Sequence, residues 1–133
     1  MVKPVPKIKM YARANGSFGI RNHLAVISTV ACANHVAESV ARGIPGSIAC
    51  THPYGCDQLG ADAELTFRIL AAAGSHPNVG GVVVIGLGCE EISAQVLADR
   101  IRESRKPVFS LEIQKTGGTS RAIAQGMAFC REL

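Results

Sequence analysis

Residues 80–105 read GGVVVIGLGCEEISAQVLADRIRESR, and this stretch decides the fold. An unbroken apolar run, GGVVVIGLG (80–88), comes directly before a segment with apolar residues at helical spacing, EISAQVLADRIRESR (91–105). A short run of β-branched residues is typical of a buried strand, and a spacing of three and four residues is typical of an amphipathic helix. The stretch therefore predicts one strand followed by one helix.

The same alternation covers most of the chain. Further strands are predicted at 24–30, 46–52 and 107–113, and further helices at 35–43, 59–74 and 119–133. Strands that alternate with helices favour right-handed crossovers and a parallel sheet. We expect an α/β fold of three layers, α/β/α and Rossmann-like, with a mostly parallel sheet of about four strands. Residues 1–23 are predicted as an N-terminal extended arm with a Gly-rich turn, and 24–133 as a single α/β domain.

Composition and charge limit the classes of partner and location that we expect for this protein. The 133 residues are 47% hydrophobic and carry a net charge of +4, but the basic residues are scattered and no aromatic residues interleave with them. This argues against a nucleic-acid partner and favours an anionic small-molecule substrate. No apolar stretch reaches the roughly 18 residues of a membrane span and no signal peptide is visible, so we expect a cytoplasmic protein without a membrane partner. An odd number of cysteines, five, indicates reduced thiols that bind metal or react.

Three of these cysteines share one position relative to the predicted strands. Cys32, Cys56 and Cys89 each follow an apolar run, in the contexts TVACANH, THPYGC and GLGCE. The carboxyl ends of parallel strands meet at one edge of the sheet, where ligands bind. We therefore expect a metal or nucleophile site at that edge. Cys50, inside a strand, and Cys130, in the last helix, are expected to be core or surface residues.

Other groups surround these thiols. His52 lies four residues before Cys56, as a general base or a ligand, and the residues leave that choice open. Glu90 follows Cys89 at the predicted start of a helix, where amide N–H groups and the helix dipole favour a thiolate. Asn34 is a natural N-cap for the helix predicted at 35–43.

Two further segments carry candidate substrate-binding groups. Residues 114–119, QKTGGT, open the last predicted helix with exposed amides, hydroxyls and an ammonium group, which is a cradle for a carboxylate or phosphate. Near the N-terminus, glycines separate two guanidiniums suited to carboxylate recognition, although this segment begins at the opposite edge of the sheet. A loop tied by arginine hydrogen bonds is the structural alternative. The candidates are Arg13, Arg21, Asn22, Lys115, Thr116, Gly117 and Gly118.

An ordered series of motifs links these segments. It comprises YxRxxGxxGxRN (Tyr11–Asn22), VxC (Val30–Cys32), THxYGC (Thr51–Cys56), HPNVGG (His76–Gly81) and GLGCE (Gly86–Glu90). The series resembles the altronate and galactarate dehydratase family, which includes the large subunit of the sulfolactate sulfo-lyases. The resemblance covers nearly the whole chain and corresponds to the first α/β domain of the large region of those enzymes.

The resemblance implies an activity and a cofactor. Family members eliminate water or sulfite from sugar acids or related hydroxy acids and require iron or another divalent metal. Carried over by position, Cys32, Cys56 and Cys89 become metal ligands, and His52 and Glu90 become catalytic residues. Three thiolates could hold an iron–sulfur cluster with an open iron, or fewer of them a single divalent ion.

The resemblance also implies a larger assembly. Family enzymes continue into a second large domain, so this chain is expected to be a fragment, or a subunit whose partner supplies the remaining domain. Whether it is active alone, and whether it forms a homo-oligomer, is left open. A non-catalytic ligand-binding or assembly domain is an alternative function. A thiol redox or metal-sensing module is a second one, but the chain contains no C-x-x-C pair.

Overall fold

A computed structural model describes residues 4–133 and shows a four-stranded parallel sheet. The sheet strands are β3 (His23–Ser28), β4 (Ser47–Cys50), β5 (Val79–Gly86) and β6 (Val108–Glu112). Their order is β4-β3-β5-β6, and every neighbouring pair is parallel. The predicted α/β fold is therefore confirmed, with each strand shorter than, or shifted from, its predicted range.

The central strands form the core because both of their faces are covered. In β5, the four residues from Val82 to Ile85 are fully buried, and Ala25, Val26 and Ile27 of β3 are buried beside them. Burying an aliphatic side chain of this size contributes about 1.5–3 kcal/mol. Burial on both faces accounts for the unbroken apolar run of β5, the longest strand of the sheet.

Helices cover the two faces of the sheet. α1 (Asn34–Gly43) and α5 (Thr119–Glu132) pack together on one face, and α2 (Gly60–Ser75) and α3 (Ala94–Arg102) pack together on the other. Two separate clusters of buried side chains, one on each side, fill the space between helices and sheet. The arrangement has three layers, as predicted.

Helix α2 buries a different face from the one that its sequence suggests. Leu65 and Ile69 are apolar and four residues apart, a spacing typical of a buried helix face, but their exposures are 53% and 59%. The buried side instead carries mostly small residues, together with Leu70. Gly74 lies against Ile101 and Ile27, so the helix approaches the sheet closely at that point. α2 thus has two apolar faces and uses the one with smaller side chains.

Two other elements differ from their predicted bounds. α3 begins at Ala94 rather than at residue 91, so Cys89 and Glu90 lie in a loop and not at a helix start. A short helix, α4 (Ile113–Thr116), occupies part of the segment predicted as a loop after the last strand. Asn34 is the first residue of α1 and makes no capping hydrogen bond, so its predicted N-cap role is wrong.

The N-terminal arm contains a two-stranded antiparallel ribbon, β1 (Tyr11–Ala12) and β2 (Phe18–Gly19). The side chain of Asn78, before β5, accepts hydrogen bonds from the backbone amides of Ile20 and Arg21 at 2.9 and 3.3 Å. These bonds hold the ribbon against the amino edge of the sheet. The first three residues of the predicted arm, 1–3, lie outside the described residues.

The topology has a switch point between two neighbouring strands. The chain leaves β3 through α1 on one face and leaves β5 through α3 on the other, although β3 and β5 are neighbours. In open α/β sheets, ligands bind outside the carboxyl ends of the strands at such a switch point. The loops after β3 and β5 therefore flank the expected site. None of the helices formed by residues 4–133 is long and apolar enough to span a membrane.

Candidate functional site

The carboxylate of Glu90 lies between the ends of β3 and β5. The hydroxyl of Thr29 donates to its Oε1 atom at 2.7 Å, and the backbone amide of Leu87 donates to the same oxygen at 3.0 Å. The amides of Gly88 and Cys89 donate to Oε2 at 2.6 and 2.9 Å. The GLGCE loop therefore folds around its own glutamate, and one bond from β3 closes the arrangement.

These contacts keep the Glu90 carboxylate ionised. Partial burial acts to raise its pKa, but the hydrogen bonds from Thr29 and from the backbone amides outweigh burial and lower the pKa below its usual value. A carboxylate stabilised in this way is a weak base, because donors already occupy both of its oxygens. The geometry makes Glu90 an organising group of the loop, and a catalytic role for it stays a prediction.

The structure explains why both of these positions of the GLGCE motif, Gly86 and Gly88, are glycine. A Cβ atom on Gly86 would overlap Oε1 of Glu90, and it would lie 3.3 Å from the Thr29 hydroxyl. Gly88 has a φ of 121°, a conformation that side chains disfavour, and a Cβ there would lie 2.8 Å from the Gln114 side chain. The motif thus leaves room for the carboxylate and allows the turn around it.

The loop of His52 is tied to the same strand end. The Ser28 hydroxyl donates to Oδ1 of Asn34 at 2.6 Å, and Nδ2 of Asn34 donates to the His52 carbonyl at 2.8 Å. The amide of Ala31 donates to the Tyr54 carbonyl at 2.8 Å. These bonds join the loops after β3 and β4 at the carboxyl edge of the sheet.

The two ring nitrogens of His52 differ in their hydrogen bonding. Nδ1 accepts a hydrogen bond from the Tyr54 amide at 3.3 Å, and the two rings lie 5.6 Å apart. Since Nδ1 uses its lone pair there, the proton of the neutral ring is assigned to Nε2. Within residues 4–133, Nε2 is buried and has no hydrogen-bond partner. Burying a hydrogen-bond donor without an acceptor costs free energy. We therefore expect Nε2 to donate to a group outside the described residues.

The loop after β6 lies at the same edge of the sheet, but the amides of its predicted anion-binding site mostly form hydrogen bonds within the loop. The Gln114 amide donates to the Leu87 carbonyl at 3.1 Å, which joins this loop to GLGCE. The amides of Gly117 and Gly118 bond back to the short helix α4 at 3.3 and 3.0 Å. Lys115 pairs with Glu112 at 2.8 Å and stays 77% exposed. Substrate binding by Lys115, Thr116, Gly117 and Gly118 stays a prediction.

The three edge thiols are exposed, but they do not assemble a metal centre by themselves. Cys32, Cys56 and Cys89 are all solvent-exposed on loops of the carboxyl edge. Among the described residues 4–133, no three Cys, His, Asp or Glu side chains form a group that could hold a metal ion. In this arrangement the side chains of residues 4–133 therefore do not fit the predicted three-thiol centre. Metal binding stays a prediction.

The remaining cysteines differ from the three edge thiols in burial. Cys130 is buried in the core, where burial raises its pKa to about 11. Cys50 is half-buried and packs against the other core cluster, and burial raises its pKa as well.

The arginine segment lies at the opposite edge of the sheet. The Arg13 guanidinium donates to the Pro77 carbonyl at 2.7 Å, to Oδ1 of Asn22 at 2.7 Å and to the Arg21 carbonyl at 2.8 Å. These bonds fasten the arm to the segment before β5. The geometry is that of the structural alternative, a loop tied by arginine hydrogen bonds. Substrate binding by Arg13, Arg21 and Asn22 stays a prediction.

Two residues that join the loops, Ser28 and Thr29, are not among the predicted site residues. The pattern predicts a strand over 24–30, whereas β3 ends at Ser28. Both side chains are buried, with exposures of 0% and 3%. The available signal was a pair of hydroxyl residues at the end of an otherwise apolar run, which is where an open parallel sheet binds ligands.

Comparison with known proteins identifies the family of this chain. Residues 10–133 match the family described as D-galactarate dehydratase/Altronate hydrolase, second domain. The chain belongs to this family. The match includes both motif-bearing loops, around His52 and around Glu90, and the suspected resemblance is confirmed.

Individual relatives agree with this assignment. The (2R)-sulfolactate sulfo-lyase subunit beta of Chromohalobacter salexigens is 44% identical over 107 residues, which cover 80% of this chain and 27% of that protein. The altronate dehydratase of Bacillus subtilis is 38% identical over 136 residues, covering 94% and 27%. The altronate dehydratase of Escherichia coli is 42% identical over 94 residues, covering 63% and 19%. No solved structure matches the chain.

The match covers only a small part of each relative. This chain spans about a quarter of the length of the first two relatives and 19% of the third. These three relatives therefore contain other regions beside the one that matches this chain.

Proposed function

We propose that this chain is a domain of a hydro-lyase that removes water from a hydroxy-carboxylate sugar acid of the altronate or galactarate type. The observation that carries the proposal is that two motif-bearing loops are linked to the end of β3 in a chain of this family. The His52 loop is linked through Asn34 to Ser28, and the Cys89–Glu90 loop is bonded to Thr29. Two of the relatives are named altronate dehydratases, which supports a sugar acid as substrate.

The reaction sets clear chemical demands. A base removes the proton on the carbon next to the carboxylate, and the carbon–oxygen bond of the neighbouring hydroxyl breaks. The hydroxyl needs a proton to leave as water, and the enol that remains rearranges to a 2-oxo acid. Since hydroxide is a poor leaving group, a group that donates a proton or hydrogen bond to it lowers the barrier.

His52 meets the demand for a donor. Because Nδ1 is engaged by the Tyr54 amide, Nε2 carries the proton and lacks an acceptor within residues 4–133. We assign Nε2 of His52 the role of hydrogen-bond donor to the departing hydroxyl rather than that of base. The proton that completes the leaving water is proposed to come from an acid of the remaining domain or of a partner subunit, because a neutral imidazole keeps its Nε2 proton. Glu90, whose oxygens are occupied by Thr29 and three amides, shapes the loop that carries Cys89. The cationic Lys115 at the same edge is proposed to attract the substrate carboxylate.

Other parts of the proposal concern groups that residues 4–133 do not bring together. Because the relatives are several times longer, the remaining domain or a partner subunit is proposed to supply the base and to complete the site. Iron or another divalent metal would supply Lewis-acid chemistry in the complete enzyme. A ligand set made by this chain together with another domain accords with the absence of a three-ligand group within residues 4–133. A cytoplasmic location remains part of the same proposal.

A sulfo-lyase is the second candidate, favoured by the 44% identity to a sulfolactate sulfo-lyase subunit. The elimination is similar, but sulfite leaves as a stable anion and needs no proton. A donor at Nε2 of His52 would therefore matter less. The two candidates can be separated by the effect of removing that donor.

The test is an elimination assay with three substrates. The chain is mixed with Bacillus subtilis altronate dehydratase from which the matching segment has been deleted, and D-altronate, galactarate and (2R)-sulfolactate are supplied separately. We expect 2-oxo acid formation from a sugar acid, and a loss of about 10²–10³-fold for His52→Phe, the effect of removing one hydrogen-bond donor to the leaving oxygen. Sulfite release that His52→Phe leaves nearly unchanged would favour the sulfo-lyase. Binding of the sugar acids without any elimination would instead favour a non-catalytic ligand-binding or assembly domain.

A further inference from the structure

Two adjacent hydroxyl groups at the end of β3 serve different loops. Ser28 bonds to Asn34 at the start of α1, and Thr29 bonds to Glu90 in the loop before α3. Since α1 and α3 lie on opposite faces of the sheet, the two side chains reach to opposite sides of the switch point. Neither residue belongs to the motifs that identified the family.

The bond from Thr29 is the link between the GLGCE loop and β3. Its hydroxyl has a single proton, and Oε1 of Glu90 at 2.7 Å is a better acceptor than the Ile85 carbonyl at 3.4 Å. The other donors to Glu90 are amides of its own loop, at residues 87–89. Without the Thr29 hydroxyl, the donors to Glu90 would all belong to its own loop, and the bond from the Gln114 amide to the Leu87 carbonyl would tie the loop to α4 but not to β3.

The bond from Ser28 has the same function on the other side. By donating to Oδ1 of Asn34 it orients the side-chain amide, so that Nδ2 faces the His52 carbonyl. The Ala31 amide holds Tyr54 in the same loop. Ser28 is therefore linked to the His52 loop through one intermediate side chain.

We propose that Ser28 and Thr29 are positioning residues of the site, Ser28 for the His52 loop through Asn34 and Thr29 for the Cys89 loop through Glu90. Because the two are neighbours in a buried strand end, they fix the separation of the two loops. The inference rests on the proposed function for its catalytic meaning, whereas the positioning itself can be measured without substrate.

The experiment measures amide hydrogen exchange, residue by residue, in two variants of the chain. Thr29→Val removes one hydroxyl at a similar shape, and we expect about five- to tenfold faster exchange of the Gly88 and Cys89 amides, the effect of losing one hydrogen bond. Ser28→Ala is expected to speed exchange of the Ala31 amide by a similar factor and to leave Gly88 and Cys89 at wild-type rates. Each variant thus serves as the control for the other.

Further variants separate positioning from a general loss of stability. Thr29→Ser keeps the hydroxyl and is expected to restore wild-type exchange at Gly88 and Cys89. Thr66→Val changes a similarly buried threonine in α2 and is expected to leave both loops unchanged. If Thr29→Val does not fold, Glu90→Gln is measured instead, because weakening the acceptor is expected to release the same two amides.

Two results would overturn the inference. One is wild-type exchange at Gly88 and Cys89 in both Thr29→Val and Glu90→Gln. The other is equal acceleration of both loops by both Ser28→Ala and Thr29→Val, which would indicate general loosening. A negative dehydration assay affects neither result. Where dehydration is detected, Thr29→Val is expected to lower kcat about 10–100-fold and Thr29→Ser to retain it.

Discussion

Gly86 lies directly against the carboxylate of Glu90, and the space that a side chain at Gly86 would need is filled by Oε1 of that carboxylate. The backbone of Gly86 has no positive φ, so the requirement for glycine at this position comes from space and not from conformation. The end of β5 and the loop that follows it are therefore matched to each other.

Gly86→Ala is expected to destabilise the chain by about 1–3 kcal/mol, because overpacking forces Glu90 out of its hydrogen bonds. The free energy of unfolding, measured by urea denaturation, checks this. Gly43→Ala is a suitable control, since a Cβ on Gly43 would also meet a side chain, that of Met127, but only at its flexible end. We expect no loss there, and an equal loss in both variants would contradict the argument about Glu90.

The sequence was sufficient to predict the layers of the fold and the edge of the sheet that carries the loops. The run before Gly86 and the repeated strand–helix alternation both depend on local patterns, which periodicity detects. The sequence could not show that Glu90 folds back onto its own loop. That arrangement depends on Thr29, which is 61 residues away in the chain, and on the missing side chain of Gly86.

The arginine segment and helix α2 show a second limit. A pattern of guanidiniums and glycines fits a carboxylate site as well as a tied loop, and only the position of the Pro77 carbonyl shows that Arg13 ties a loop. In α2, apolar residues lie on two faces, so periodicity predicts a helix without showing which face is buried. Close approach to the sheet at Gly74 selects the face with small residues.

The orientation of α2 predicts opposite effects for the same substitution at two positions in one helix. Leu70 is 6% exposed and Leu65 is 53% exposed. Leu70→Ala is therefore expected to cost about 2–5 kcal/mol of unfolding free energy. Leu65→Ala is expected to change the free energy of unfolding by no more than about 0.5 kcal/mol. Thermal and urea unfolding of the two variants measure the difference, and a larger loss for Leu65→Ala would show that the helix is turned the other way.

Lys106 gives the chain a pH-dependent stability at alkaline pH. Its buried ammonium group donates to the carbonyls of Gly74 and His76 at the end of α2, and burial, with a smaller effect from Arg13, lowers its pKa to about 8. Because the unfolded chain has the higher pKa, it binds more protons between pH 8 and about 10.5, and the contribution of Lys106 to stability rises over that window.

Lys106→Met removes this titration, so the difference in unfolding free energy between wild type and variant is expected to shift in favour of wild type as the pH rises. The shift amounts to at most about 3 kcal/mol between pH 7 and 10.5. Taking the difference cancels groups common to both proteins, including Cys130, whose raised pKa acts in the opposite direction. A difference that stays constant over this pH range would show that Lys106 has an ordinary pKa.

Metal binding gives the sharpest test of what this chain contributes to the complete site. Because no three ligands come together within residues 4–133, we expect the chain alone, reconstituted with iron under anaerobic conditions and then desalted, to keep well below one iron per chain. Cys32→Ser, Cys56→Ser and Cys89→Ser are then expected to match the half-buried control, Cys50→Ser. Retention of one or more irons that is lost in each edge-thiol variant, but not in Cys50→Ser, would instead establish the three-thiol centre. The ligands would then come from this domain alone, and the exposed loops of the carboxyl edge would have to close around the metal as it binds.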